Sequence, residues 1–167
     1  AVREIAHGLM SLGFAAGETH NGLPVMVTER VEGRTLRARI AAQDLLMGAE
    51  LLRLVRSIAG ALDYLHGQNP PVLHRALIPE HVVTTLDGGL KLLAVGHADR
   101  PHHAPAKPSY LSPEELRGHR LSPASDVFSL ASLAFEVLTG RPAFPGDAGA
   151  VLAAVQRAAL PWVGVVS

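Results

Sequence analysis

Apolar and polar positions fall in blocks whose spacing changes along the chain, and that spacing predicts most of its elements. Residues 1–6 read as the tail of a helix ended by His7-Gly8. Two short apolar runs follow, Leu9–Ala15 and Leu23–Thr28, joined by the turn-rich stretch Gly17–Gly22; this is the pattern of a β-hairpin. Glu32-Gly33-Arg34-Thr35 reads as a turn, with Thr35 placed to cap a brief helix at Leu36–Ala41. From Ala49 to His66 the apolar residues Leu52, Val55, Ala59, Leu62 and Leu65 recur every three or four positions, predicting an amphipathic helix closed by Gly67. Val72-Leu73, Val82–Thr84 and Leu90–Leu93 read as short strands, the last two joined by the turn Asp87-Gly88-Gly89. Residues 97–108, rich in proline and histidine, read as a loop. Asp126–Thr139 is apolar nearly all round, which places a helix in the middle of a domain rather than on its skin. Asp147–Leu160 is a last helix. No repeat and no long linker interrupt this order, so the chain reads as one helix-rich α+β unit.

Length and composition narrow the picture without changing it. The 167 residues suit one ordinary domain, and 48% apolar residues can fill a core. Fifteen basic side chains balance fifteen acidic ones, leaving no whole-chain field to draw in nucleic acid or an anionic membrane. The absence of cysteine removes disulfides, thiolate metal sites and cysteine nucleophiles together, but does not fix a compartment. No apolar run reaches the ~18 residues needed to span a bilayer. The chain does not open with Met and reads as a piece of something longer.

Few residues suggest chemistry by local spacing. His97, His102 and His103 could ligate zinc, but they sit in a proline-spaced loop with Asp99 as the nearby carboxylate, and a solvated loop is the expected reading; no metal is expected. Gly13, Gly17, Gly88 and Gly89 match no phosphate-binding pattern and are turn residues. The apolar face Val151, Leu152, Val155, Leu160 and Trp162 is either a docking surface or a face that packs on further helices.

Four collinear segments resemble the bacterial Hanks-type Ser/Thr protein kinases. His74-Arg75-Ala76-Leu77-Ile78-Pro79-Glu80-His81-Val82-Val83 resembles the catalytic loop H-R-D-L-K-P-E-N-V-L. Lys91-Leu92-Leu93-Ala94-Val95-Gly96 resembles K-L-x-D-F-G. Tyr110–Leu116 resembles the Y-[LM]-[SA]-P-E segment that ends the activation loop. Ser125–Leu130 followed by Phe135–Phe144 resembles S-D-V-[WY]-S-L-G…E-[ML]-L-T-G-x-x-P-F. The resemblance implies an α+β, kinase-like fold: mainly the helical large lobe, over residues 32–167 and truncated at its C-terminal end, with the last strands of the small lobe and the hinge over residues 1–31.

The resemblance also assigns positions. Thr28 stands at the gatekeeper, and Glu29-Arg30-Val31 forms a hinge whose backbone at Glu29 and Val31 would face an adenine. ATP and Mg²⁺ are the family's ligands. Phosphoryl transfer needs a carboxylate beside the attacking hydroxyl, a cation on the γ-phosphate and oxygen ligands for the metal. The matching positions are Ala76, Ile78, His81 and Ala94, so the resemblance implies a pseudokinase with no catalytic residue and no bound cofactor. His74, Arg75, Asp126 and Glu114 remain as structural residues: Asp126 stands where the family holds the catalytic-loop backbone, and Glu114 where it pairs with an arginine from later helices. Arg75 is expected to pack its stem on neighbouring backbone. The loop before Tyr110 holds no threonine, with Ser109 its hydroxyl, so phosphorylation of the loop is not expected. The expected role is a cytoplasmic signalling scaffold or allosteric module with a protein partner, no nucleic acid and no membrane segment. A divergent kinase with residual ATP binding, or a non-functional gene fragment, is the alternative.

Overall fold

The computed structural model describes residues 8–11, 13–22, 24–75, 77–93 and 107–157. The hairpin forms as β1 (Gly13–Glu18) and β2 (Pro24–Thr28), antiparallel, with Gly17 opposite Val25 and Gly13 opposite Thr28. The first apolar run is divided between two jobs. Met10 forms a parallel bridge with Leu92, framed by Ser11 N donating to Leu92 O at 2.9 Å and Leu92 N donating to Leu9 O at 2.6 Å.

A second sheet has the order β3 (Gly33–Thr35), β4 (Val82–Thr85), β5 (Leu90–Leu92), antiparallel throughout. The stretch 32–35, read from sequence as a turn, therefore contains a strand. Its glycine serves a close approach: a Cβ at Gly33 would lie 2.2 Å from Thr84 O. Thr35 ends the strand and caps α1 (Leu36–Ala41), its Oγ1 accepting from Ala38 N at 3.1 Å. Asp87-Gly88-Gly89 turns β4 into β5, with Gly88 at φ 81°. Val72-Leu73 is not a strand; Val72 N donates to Leu65 O at 3.0 Å and closes the preceding helix instead.

That helix, α2 (Gly48–His66), buries Leu62 and Leu65 as the sequence suggests and packs Val55 against the core, but its N-terminal half is rotated from the expected face. Leu54, Ile58, Ala61, Leu62 and Leu65 are buried, while Leu52 is 59% exposed and Ala59 is on the surface. Over residues 51–59 apolar side chains stand on more than one side of the helix, and periodicity alone does not choose among them. Packing does: the buried row meets α4 (Pro123–Thr139), through Leu130, Leu133 and Val137, together with Leu36 and Ile40 of α1, Val82 of β4 and Leu92 of β5. α4 starts three residues earlier than the periodicity suggests, at Pro123 after the capping box of Ser122 and Ser125. It stops at Gly140, whose φ of 73° reverses the chain.

A smaller cluster lies beyond. α3 (Pro113–Leu116) and α5 (Ala148–Gln156) pack near each other, and Phe128 stacks on Phe144 with ring centroids 5.7 Å apart. Val151 is fully buried there, with Ala154 and Val155 against the same cluster, so Val151 and Val155 of the apolar face on α5 pack on this chain itself, while Leu152 is half-buried. Leu160 and Trp162, the helix tail at 1–6 and the loop over 97–106 lie outside the described residues.

Two substitutions separate the two faces of α2 and its partner. Leu133→Ala, in the shared core, should cost about 2–5 kcal/mol. Leu52→Ala should stay within about 0.5 kcal/mol of wild type. Equilibrium urea unfolding of both variants checks the assignment.

Candidate functional site

The site is a loop held on one helix. Asp126, Ser129, Leu133 and Glu136 fall on one stripe of α4, and the polar members of that stripe are buried. Asp126, 2% exposed, takes three partners: its Oδ2 accepts from His74 N at 2.9 Å and lies 2.8 Å from His66 Nε2 of α2, and its Oδ1 accepts from Arg75 N at 2.9 Å. Arg75 sits at φ 62°, a conformation that costs a residue with a Cβ about 1–3 kcal/mol. Two amide bonds to a charged acceptor, about 1.5–3 kcal/mol each, offset that strain. Leu77, 1% exposed, then plugs the loop into the core.

A 3₁₀ turn at Pro79–His81 carries the chain into β4. His81 N donates to Ile78 O at 2.9 Å, and Leu93 N donates to His81 O at 2.8 Å, fastening the loop to the end of β5. Ile78 and His81 are both half-buried. Ile78 offers no polar side-chain atom and His81 offers ring nitrogens, so neither supplies the oxygen donors that Mg²⁺ prefers. Among the described residues no three His, Asp or Glu side chains gather in a way that could hold a metal ion. Ala76 and Ala94 lie outside the described residues, as do His97, His102 and His103.

Thr28 ends β2 and is exposed; Glu29, Arg30 and Val31 connect β2 to β3. The Glu29 carboxylate receives a hydrogen bond from Lys91 Nζ of β5 at 2.8 Å. Glu114 accepts from Ser125 Oγ at 2.5 Å. Burial alone would raise the Glu114 carboxyl, but the Ser125 hydroxyl and its own backbone amide hold it below the ordinary range. Its neighbour Glu115 moves the other way, raised by burial and by the Asp126 charge.

Sequence reasoning missed a junction further along the same stripe of α4. Arg37 of α1 donates from Nε to Glu80 Oε1 at 2.9 Å, from Nη1 to Glu136 Oε1 at 2.8 Å, and from Nη2 to the Tyr110 hydroxyl at 2.8 Å. Tyr110 OH donates to Glu136 Oε2, and Lys107 Nζ donates to Glu80 Oε1. Burial tends to lower the Arg37 pKa and the bonds to Glu136, Glu80 and Tyr110 more than reverse it. Burial and then Glu136 push the Tyr110 phenol up. Glu80 would be raised by burial, yet Lys107, its own amide and Arg37 hold it below 4.5. The signal was present in part: Glu136 is a lone acid far along an apolar helix, and a buried charge needs partners.

A sequence profile described as the protein kinase domain matches residues 15–161. The "Probable serine/threonine-protein kinase PknB" of Bifidobacterium longum is 31% identical over 141 residues, 78% of this chain and 20% of the relative. Serine/threonine-protein kinase PknL of Mycobacterium tuberculosis is 30% identical over 138 residues, 78% of this chain and 34% of the relative. The PknB relative from Lactococcus lactis is 29% identical over 165 residues, covering 92% of this chain and 25% of its own length. The anchored loop, the two-sheet plus helix architecture and these matches define a kinase-like α+β fold of the bacterial Hanks type. The chain belongs to the protein kinase domain family, and it spans between a fifth and about a third of the length of these curated relatives.

Two measurements probe the anchors. Asp126→Asn keeps the shape but faces one of its donors with an NH₂ group, and should cost about 1.5–3 kcal/mol in urea unfolding. It should also speed amide exchange at His74 and Arg75. Because the Glu80 pKa is depressed in the folded protein, its contribution is present above pH 4.5 and fades as pH falls through the folded value. The stability gap between wild type and Glu80→Gln should therefore narrow below pH 4.5, read from urea midpoints across an acid series.

Proposed function

We propose that this chain is a catalytically inactive protein kinase homologue that acts by binding, as a signalling scaffold or allosteric module for a protein partner. The observation that carries the reading is the loop 74–81. Its backbone is held by Asp126 through two amides at 2.9 Å, yet the positions matching the family's polar machinery are Ala76, Ile78 and His81, with Ala94 after β5 in the sequence. An alanine has no lone pair to orient a hydroxyl, and an isoleucine has no charge for a γ-phosphate. Each such group is typically worth ~10²–10⁴-fold in rate, and four act as a set. Architecture without reacting groups favours recognition over turnover.

On this reading residues 1–31 are the end of the small lobe with its hinge, and residues 32–167 belong to the large lobe. Thr28 is the gatekeeper, Glu29 and Val31 offer hinge backbone, and the module works in the cytoplasm. No described helix is long and apolar enough to cross a membrane. A second reading, a divergent kinase-like enzyme with residual ATP binding, draws its support from relatives whose printed names are those of kinases.

One pair of experiments separates the two. With radiolabelled ATP and either Mg²⁺ or Mn²⁺, the chain should incorporate no label into itself or a basic protein substrate. ATP should give no melting shift that grows with Mg²⁺, because a ligand bound only by the folded state raises Tm by mass action. Incorporation that a substitution in the 74–81 loop abolishes would establish an enzyme. A metal-strengthened shift without incorporation would establish nucleotide binding.

A further inference from the structure

The outward face of α2 is arranged symmetrically about its own midpoint. Leu54, Ile58, Ala61 and Leu65 point into the core, so Leu52, Arg56, Ala59, Gly60 and Asp63 fall on the opposite side, and all five are exposed. Ala59 and Gly60 stand in the middle of this row. Arg56 lies three residues before Ala59, and Asp63 lies three residues after Gly60. A positive and a negative charge thus flank a pair of small residues at equal distances.

Among the described residues, the side chains of Arg56 and Asp63 enter no hydrogen bond or ion pair. They do not serve each other, because seven residues of helix set them about 10 Å apart along its axis. Gly60 is not required by the described chain either: a Cβ there would meet no neighbouring part of it within 4 Å. A glycine inside an exposed helix weakens that helix relative to alanine. Its smallness is of use to a body that approaches from outside.

A second copy of α2, laid antiparallel across the first, fits these observations together. A twofold axis through the middle of the row brings Ala59 against Gly60 of the other copy, and small side chains let two helices come close. The same axis sets Arg56 opposite Asp63 twice over. It also lays Leu52, 59% exposed, at the level of the exposed Gly67 that closes the other helix. A parallel pair would instead set Arg56 against Arg56 and Asp63 against Asp63. Self-complementarity of one patch is what a twofold dimer requires.

We propose that the outward face of α2 is a homodimer interface, in which two copies cross antiparallel at Ala59-Gly60 and form two Arg56–Asp63 ion pairs. The occupant of the face is a second copy of this chain. The contact needs neither nucleotide nor phosphate transfer, so it holds equally for an inactive chain and an active one. One 19-residue helix from each copy makes a small interface, which places the dimer in the weak, micromolar class.

The test is sedimentation equilibrium of the full chain, which should show monomer and dimer exchanging in the micromolar range. Arg56→Asp and Asp63→Arg should each weaken the dimer at least about tenfold, because each sets like charges opposite one another. Mixed in equal amounts, the two variants should associate again, since the mixed pair matches opposite charges. The double variant Arg56→Asp/Asp63→Arg should associate on its own. Gly60→Gln should also weaken the dimer, while raising the melting temperature of the dilute monomer by about 2–4 °C. Both charged positions are exposed, and an unchanged circular dichroism spectrum checks the fold of each variant. A wild-type chain that stays monomeric up to millimolar concentration overturns the proposal. So does a dimer that neither charge reversal weakens, or a pair of single variants that remain monomeric when mixed.

Discussion

One carboxylate organises the centre of this protein. Asp126 stands at the first turn of a helix that is otherwise largely apolar, and its oxygens hold two consecutive amides and a histidine from two other parts of the chain. Leaving such a charge buried and unpaired would cost several kcal/mol, so the fold cannot close without presenting those donors. The left-handed turn at Arg75 is the geometry that aims both amides at one carboxylate. The positions of Leu77, of the 3₁₀ turn and of β4 follow from it.

Further along the same helix the logic repeats with different partners. Ser129 meets the carbonyl of Tyr110, and Glu136 meets Arg37 and the Tyr110 hydroxyl. α4 is thus both the wall of the apolar core, through Leu130, Leu133 and Val137, and the post to which two irregular segments are tied. Loops have few backbone partners of their own, and a rigid helix with buried polar side chains supplies them.

What the sequence made legible follows the range of the interaction. The hairpin, the β4–β5 turn, the Thr35 cap and the extent of α1 each depend on neighbours a few residues apart, and each could be read from local pattern. The buried face of α2 could be read only in part: Leu62 and Leu65 are buried as expected, but Leu54 and Ile58 rather than Leu52 and Ala59 face the core, a choice made by α4 some 70 residues later. β3 was hidden for a related reason: glycine signals a turn locally, and only pairing with β4 reveals that it clears a neighbouring carbonyl. In the site, Glu136 advertises a need for a partner, but Arg37 lies 99 residues away and nothing local nominates it. The family resemblance supplied the collinear order of segments, which pattern alone would have left as an unassigned α+β unit.

The way β5 is used has a mechanical consequence. The hairpin β1–β2 is tied to β5 at both of its ends, through two adjacent residues, Lys91 and Leu92. Leu9 and Ser11 bond the backbone of Leu92 just before β1, and Glu29 just after β2 holds the side chain of Lys91. Between those ties Val25 and Val27 face outward. Load carried through these two ties is therefore delivered to β5, one residue before the chain bonds back to His81 and the anchored loop.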